Sequence, residues 1–245
     1  MIEVNNLQKT YQGRKSKRVE ALKGVTFTCE PGKVFGLLGP NGAGKTTALR
    51  IISTALKPTG GEGRVMGKDI VTQSAEVRRN VGFLSTNTGL YGRLTPREVL
   101  RYFGRLFRMT PGDIDARTQE LSETFGMSEF LDRACDKLST GMRQKVNIAR
   151  TVLHSPPVIV FDEPTTGLDV ITAKSIVEFI ARCREEGRTV IFSTHHMTEV
   201  EKLCDRIGVI NSGELVFLGE IDEFRAKYGS HLDEGFIRLI EEQAA

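Results

Sequence analysis

Gly39-Pro40-Asn41-Gly42-Ala43-Gly44-Lys45-Thr46-Thr47 reads G-x-x-x-x-G-K-T, and it constrains the architecture more than any other stretch of the chain. Just before it, Val34-Phe35-Gly36-Leu37-Leu38 is a short apolar run suited to a buried strand. Just after it, Ala48-Leu49-Arg50-Ile51-Ile52 suits the start of a helix. A strand that turns through glycines into a helix is the context in which this pattern cradles phosphate. The glycines let backbone N–H groups curl around phosphate oxygens without Cβ clashes, and the helix N-terminus adds its partial positive charge there. Gly39 through Thr47 are therefore the predicted nucleotide-binding residues. In such a loop Lys45 reaches the β- and γ-phosphates as a point charge, and the Thr46 hydroxyl faces Mg²⁺.

A phosphate loop needs a second carboxylate for its metal. Val158-Ile159-Val160-Phe161 is a second buried-strand run, and it ends in Asp162-Glu163-Pro164. The strand buries itself and presents Asp162 at its C-terminal end, where ligands gather in open α/β sheets. Asp162 is the candidate metal ligand with Thr46. Glu163, next to it, points differently and is placed to polarise a water for in-line attack on a γ-phosphate.

The rest of the chain fits around these two strands. Residues 2–9 alternate, with Ile2, Val4 and Leu7 apolar, and read as an edge strand. The basic run from Gly13 to Arg18 reads as a solvated loop. Val25 and Phe27 mark another strand, and Pro31-Gly32 a turn. Pro58 to Gly63 reads as turn chemistry, and Val65 to Ile70 as a short strand and its turn. Val81–Leu84 is a strand, and Ser85–Arg93 a polar loop. Thr95-Pro96-Arg97-Glu98 predicts a capped helix start, with Val99, Phe103, Leu106 and Phe107 on its apolar face. Arg101, Arg105 and Arg108 form a basic stripe on the same helix. A further helix is expected from about 113 to 125 and a short one around Glu129. Because no strand signal lies between Leu84 and Val158, this middle region predicts a helical insertion into an α/β core. A helix over about 171–186 ending at Gly187, strands at 189–193, 207–210 and 215–218, a helix at 198–204 and two helices within about 222–242 complete the reading.

Composition narrows the function classes. The 245 residues carry a formal net charge of +3, too small to argue for nucleic acid or an anionic membrane surface. No apolar run approaches the roughly 18 residues that span a bilayer. The N-terminal residues Met1–Asn5 lack the basic start and apolar core of a signal peptide. Cys29, Cys135, Cys183 and Cys204 form no C-x-x-C pair, which predicts unpaired buried thiols rather than a zinc site.

Several further segments resemble the ATP-binding-cassette (ABC) ATPases. Leu138-Ser139-Thr140-Gly141-Met142 resembles the signature sequence of that family. Glu163-Pro164-Thr165-Thr166-Gly167-Leu168-Asp169 is similar to its Walker B end running into the D-loop. Thr194-His195 resembles its switch histidine, and Tyr11 is placed like the aromatic that stacks on adenine. Order and spacing match from about residue 2 to 220.

The resemblance implies an α/β P-loop NTPase core with a mainly parallel sheet, an N-terminal antiparallel β subdomain and an inserted α-helical subdomain. It implies a domain over 1–220, a helical subdomain over about 87–152, and a C-terminal helical tail over 221–245. It also implies two copies facing head to tail. Ser139, Thr140, Gly141 and Met142 then serve the ATP of the partner subunit, and Asp169 couples the two sites. His195 contacts the γ-phosphate and positions the attacking water with Glu163, making these two the candidate catalytic residues. Mg²⁺ accompanies ATP as cofactor.

Two departures stand out. The family glutamine after the Val81–Leu84 strand is replaced by Ser85-Thr86-Asn87, where Thr86 aligns best and has a shorter reach. The signature has Thr140 for the usual glycine and Met142 for the usual glutamine. These variants resemble the exporter branch that pairs with a separate integral-membrane ABC-2-type permease. Within it, Phe83–Tyr91 and Thr194–Asp205 are most similar to sodium-efflux ATP-binding subunits, with a drug-like compound or a polysaccharide as the alternative cargo. The implied place is the cytoplasmic face of the cell membrane. Soluble members of DNA repair or translation fit less well, because the insertion is short and there is one phosphate loop. A GTPase lacks support, since the N-K-x-D motif is missing.

Overall fold

The structure is a computed structural model that describes residues 1–12, 18–86 and 88–243. The expected basic loop, apart from Arg18, and Asn87 lie outside the described residues.

A six-stranded sheet forms the centre. Its strands β3 (Val34–Leu38), β6 (Val81–Leu84), β7 (Val158–Asp162), β8 (Thr189–Ser193), β9 (Arg206–Asn211) and β10 (Glu214–Glu220) lie in the order β10-β9-β3-β8-β7-β6. All neighbours are parallel except the β9–β10 hairpin at one edge. Every residue of β3, β7 and β8 is buried, as expected for strands covered on both faces. The parallel order brings the C-terminal ends of β3, β7 and β8 together. The phosphate loop, Asp162-Glu163 and Thr194-His195 therefore converge from distant parts of the sequence.

A second sheet is antiparallel and runs β2-β1-β4-β5, with β1 (Ile2–Gln12), β2 (Arg18–Cys29), β4 (Gly60–Val65) and β5 (Lys68–Asp69). Two expectations are corrected here. β1 is an interior strand, not an edge, because β4 pairs with its free side. The glycine-rich stretch read as a turn is largely that strand. Gly61 has φ 76°, and a side chain there would collide with the Asn6 carbonyl oxygen, so the glycines permit close backbone approach at a bulge.

Helices fill the remaining layers. α1 (Lys45–Ile52) follows the phosphate loop, and α2 (Ser74–Asn80) precedes β6. α2 went unread because only Val77 of its residues is buried, too little for a periodic signal. Between β6 and β7 the chain inserts α3 (Pro96–Leu106), α4 (Pro111–Phe125) and α5 (Thr140–Val152). The predicted capping box opens α3: the Thr95 N–H donates to Glu98 Oε2 at 2.8 Å and the Glu98 N–H to Thr95 Oγ1 at 3.2 Å. The apolar face is shifted from the expected one. Leu100 is buried, whereas Leu106 is 60% exposed at the helix end. Arg108 lies beyond α3 in a left-handed conformation (φ 61°), so the basic stripe does not share one helix. Residues around Glu129 form turns, not a short helix.

α6 (Val170–Glu185), α7 (Met197–Leu203), α8 (Ile221–Tyr228) and α9 (Leu232–Glu242) follow. α8 and α9 pack Phe224, Tyr228, Leu232 and Leu239 against Leu38, Ile207 and Val209 of the main sheet. Of the face expected on α9, Leu239 is buried but Ile237 is 56% exposed. The cysteines are free, and burial raises the thiol pKa of Cys29, Cys183 and Cys204. No helix among the described residues is long and apolar enough to cross a membrane.

Candidate functional site

The phosphate loop is held between the two sheets. Gly39 and Gly44 have φ 149° and 118°, values that disfavour any side chain. A Cβ at Gly44 would stand 2.5 Å from the Ala21 carbonyl oxygen of β2, and one at Gly39 would collide with the Ile210 carbonyl of β9. The Gly213 N–H donates to the Ala43 carbonyl at 2.9 Å, fixing the loop to the β9–β10 turn. A cavity of about 140 Å³ opens here, lined by Ala21, Asn41, Gly42, Ala43, Gly44, Lys45, Thr46, Thr47 and Glu163.

Lys45 is 5% exposed, and its ammonium donates to the carbonyls of Gly39 (2.6 Å) and Pro40 (3.2 Å). Burial lowers its pKa, opposed by the nearby Glu163 and Asp162 carboxylates. Glu163 Oε1 lies 3.9 Å from the Lys45 nitrogen.

Asp162 is buried at the end of β7, and its Oδ1 accepts from Thr46 Oγ1 (3.0 Å) and Ser193 Oγ (2.9 Å). Thr86 Oγ1 stands 3.5 Å from Oδ2, so the residue in place of the family glutamine does reach the edge of this cluster. Hard oxygen donors suit Mg²⁺, which is held by one or two carboxylates together with substrate phosphates. Among the described residues no group of three or more His, Cys, Asp or Glu could hold a metal by itself. One carboxylate and one hydroxyl beside a phosphate cradle fit that mode of binding.

Glu163 has φ 50°, a left-handed conformation that is costly for a residue with a side chain. It is fixed from three sides: its N–H donates to Ser193 Oγ (3.0 Å) and to the Ser193 carbonyl (3.2 Å), and its Oε2 accepts from Thr166 Oγ1 (3.0 Å). His195 Nδ1 lies 3.7 Å from Glu163 Oε2, and its ring is tilted against that of His196 at 4.2 Å between centroids. The predicted pair is thus brought together at one wall of the cradle. Tyr11, 38% exposed, bonds Thr47 through its hydroxyl at 3.4 Å, so an aromatic face flanks the loop.

The signature residues sit elsewhere and do not line this cavity. Ser139 caps α5 by accepting the Met142 N–H at 3.2 Å, and Ser139 and Thr140 are exposed. A Cβ on Gly141 would lie 3.0 Å from Thr172 Oγ1 and 3.4 Å from Asp169 Oδ2. Asp169 caps α6 through Thr172, whose N–H (2.9 Å) and hydroxyl (2.8 Å) donate to its carboxylate and hold its pKa below the ordinary range. The signature and Asp169 therefore form one packed unit.

Sequence reasoning missed several supports of the site. Ser193, which grips both Asp162 and Glu163, carried no motif signal beyond being the last residue of its strand. Gln144 Nε2 donates to the Pro164 carbonyl at 2.7 Å, and Asn147 Nδ2 to the Thr88 carbonyl at 3.2 Å, so one face of α5 holds two site loops.

The geometry defines a P-loop nucleoside triphosphatase whose phosphate cradle is flanked by the Asp162–Glu163 corner and His195. The family model described as ABC transporter matches residues 22–166. The chain is 45% identical over 223 residues to the ABC transporter ATP-binding protein NatA of Bacillus subtilis (strain 168), covering 91% of this chain and 90% of that one. It is 36% identical over 232 residues to the linearmycin resistance ATP-binding protein LnrL of the same organism, covering 94% and 72%. Among solved structures, the dimeric post-hydrolysis state of the ATP-binding cassette MJ0796 with ADP and Pi superposes with a TM-score of 0.82 at 29% identity, over 90% of this chain and 99% of that one. The chain belongs to the ABC transporter family. It is an ATP-binding, ATP-hydrolysing subunit of such a transporter.

Proposed function

We propose that this chain energises an exporter of sodium ions, working as two copies beneath an integral-membrane ABC-2-type permease on the cytoplasmic face of the cell membrane. The observation that carries this reading is the 45% identity to NatA over nearly the whole length. It supports the sodium-efflux resemblance of Phe83–Tyr91 and Thr194–Asp205. The ABC domain occupies 1–220, with its helical subdomain over about 87–152 and a helical tail after it. The helical subdomain and the Ser85–Arg93 loop meet the permease.

ATP lies with adenine on Tyr11 and its phosphates in the loop from Gly39 to Thr47. Backbone N–H groups at the N-terminus of α1 meet the phosphates, and Lys45 exchanges its carbonyl partners for phosphate oxygens. Thr46 and Asp162 would hold Mg²⁺, which would neutralise phosphate charge when bound. Glu163 accepts a proton from the attacking water, and His195 orients that water against the γ-phosphate. Ser139, Thr140, Gly141 and Met142 present the N-terminus of α5 to the ATP of a second copy, closing a head-to-tail dimer. Asp169, packed against Gly141, links that contact to its own site.

The test begins with tagged protein recovered from detergent-solubilised native membranes, its partner identified by mass spectrometry. A polytopic membrane protein with about six apolar spans is expected. The complex is then reconstituted in vesicles, and ATP-dependent movement of sodium is measured against that of an amphipathic antibiotic. Sodium flux supports the proposal. Antibiotic flux alone replaces it with drug export, the reading that the 36% identity to LnrL favours. Recovery of soluble partners only overturns the transport role.

A further inference from the structure

We propose that Glu199 is the positioning residue that keeps Glu163 and His195 in register, by tying the segment after β7 to the loop after β8 with one carboxylate. The proposal rests on the reading that Glu163 and His195 act on the attacking water.

Glu199 lies in the first turn of α7 and is 9% exposed. Its Oε1 accepts from Thr165 Oγ1 at 2.7 Å, and its Oε2 accepts from Thr194 Oγ1 at 2.8 Å. Both threonines are buried, at 4% and 1% exposure. Each stands next to a residue that sets the site. Thr165 precedes Thr166, whose hydroxyl donates to Glu163 Oε2 at 3.0 Å. Thr194 precedes His195, and its Oγ1 also accepts the His196 N–H at 3.0 Å, which shapes the backbone on both sides of His195. A continuous polar path therefore joins the loop of His195 to the carboxylate of Glu163 through Glu199.

The energetics point the same way. Among the described residues Glu199 takes two hydroxyl donors and pairs with no cation. Burying a carboxylate costs desolvation that hydrogen bonds from two neutral hydroxyls offset only in part. Two short bonds to one buried carboxyl group fix the separation of their donors, so the side chain contributes geometry rather than net stability. Two loops from different strands are held at fixed separation, and the gap between Glu163 and His195 is a 3.7 Å contact that small displacements would destroy. Because Thr165 lies on the segment that continues to Asp169, movement there is also passed to His195.

The test uses the full chain and its steady-state ATP hydrolysis with Mg²⁺. Thr165→Val and Thr194→Val each remove one arm at nearly constant shape, and Glu199→Leu removes both. Each valine variant is expected to lower kcat about tenfold, and Glu199→Leu about 100-fold, with KM and the calorimetric ATP Kd within about twofold of wild type. The double valine variant is expected to lose no more than Glu199→Leu, because all three act through one carboxylate. Glu199→Gln, whose amide can still bridge both hydroxyls, is expected to recover at least a third of the wild-type kcat. Wild-type kcat in Thr194→Val, or equal loss in Glu199→Gln and Glu199→Leu, would overturn the proposal. So would a fall in kcat that follows the fraction unfolded, which is read from the melting curve of each variant. Glu163→Gln, measured alongside, separates the premise from the inference. If it retains turnover, the roles of the pair are wrong. If it does not, and the valine variants are active, only the role of Glu199 fails.

Discussion

Ser193→Ala probes how much of the site rests on one hydroxyl. Ser193 is fully buried at the end of β8, donates to Asp162 Oδ1 at 2.9 Å and accepts the Glu163 N–H at 3.0 Å. Alanine removes both contacts at little cost in shape. The Glu163 N–H keeps the Ser193 carbonyl at 3.2 Å, so no donor is orphaned. Asp162 Oδ1 keeps only Thr46. The loss is therefore one hydrogen bond to an ionised acceptor, worth about 1.5–3 kcal/mol. For a chain of this size, about 2 kcal/mol corresponds to a fall in Tm of about 4–8 °C. The second contact that alanine removes, the Glu163 N–H to Ser193 Oγ, steadies the left-handed Glu163, so kcat is expected to fall about tenfold with the loosened geometry. Urea unfolding of wild type and variant, with kinetics well below the melting range, measures both quantities. A stability change below about 0.5 kcal/mol together with unaltered turnover would refute the assignment of Ser193 as the common anchor.

Other substitutions address the site directly. Glu163→Gln is expected to retain ATP binding, to lower turnover by roughly 10²–10⁴-fold and to trap the dimer, as read by phosphate release and size-exclusion chromatography with ATP. Lys45→Ala is expected to abolish binding at the phosphates, which isothermal calorimetry with ATP checks directly. His154, stacked on Phe107 at 3.6 Å, has its pKa pushed by burial down to about 4, against a weaker opposing effect of the Val81 backbone. The folded state then holds this imidazole neutral while the unfolded chain protonates it near 6.5. Its stabilising effect is complete above that value and is lost as pH falls toward 4, by about 2–3 kcal/mol. The difference in urea stability between pH 7 and pH 4.5 is expected to shrink in His154→Phe.

Local patterns carried much of this fold, and long-range partnerships did not. The unit β3–loop–α1 was legible because strand, glycines and helix are contiguous. The helix start at Thr95 was legible because its capping partners lie within one turn. β4 was misread because its glycines answer to Asn6, far away in the chain, and not to a turn of their own. Leu106 was misplaced because periodicity alone does not say where a helix leaves its neighbours. Asp162 and Glu163 could be named from their position after a strand. Ser193 and Glu199 could not, since each is defined by a hydroxyl or carboxylate 31 and 34 residues away, and neither carries a pattern of its own.

The clamping of the phosphate loop bears on when the site comes into being. Ala21 of β2, Ala43 of the loop and Gly213 of the β9–β10 turn meet at one point, and the Lys23 N–H closes the junction by donating to the Gly213 carbonyl at 2.8 Å. Contacts so distant in sequence form late, after the chain has met the entropy of closing large loops. During synthesis, a ribosome-bound chain lacking β9 and β10 has the whole G-x-x-x-x-G-K-T sequence but not the Ile210 and Gly213 contacts that complete its shape. Nucleotide then becomes an inspector of finished molecules: it stabilises complete chains by mass action and leaves truncated ones to proteolysis.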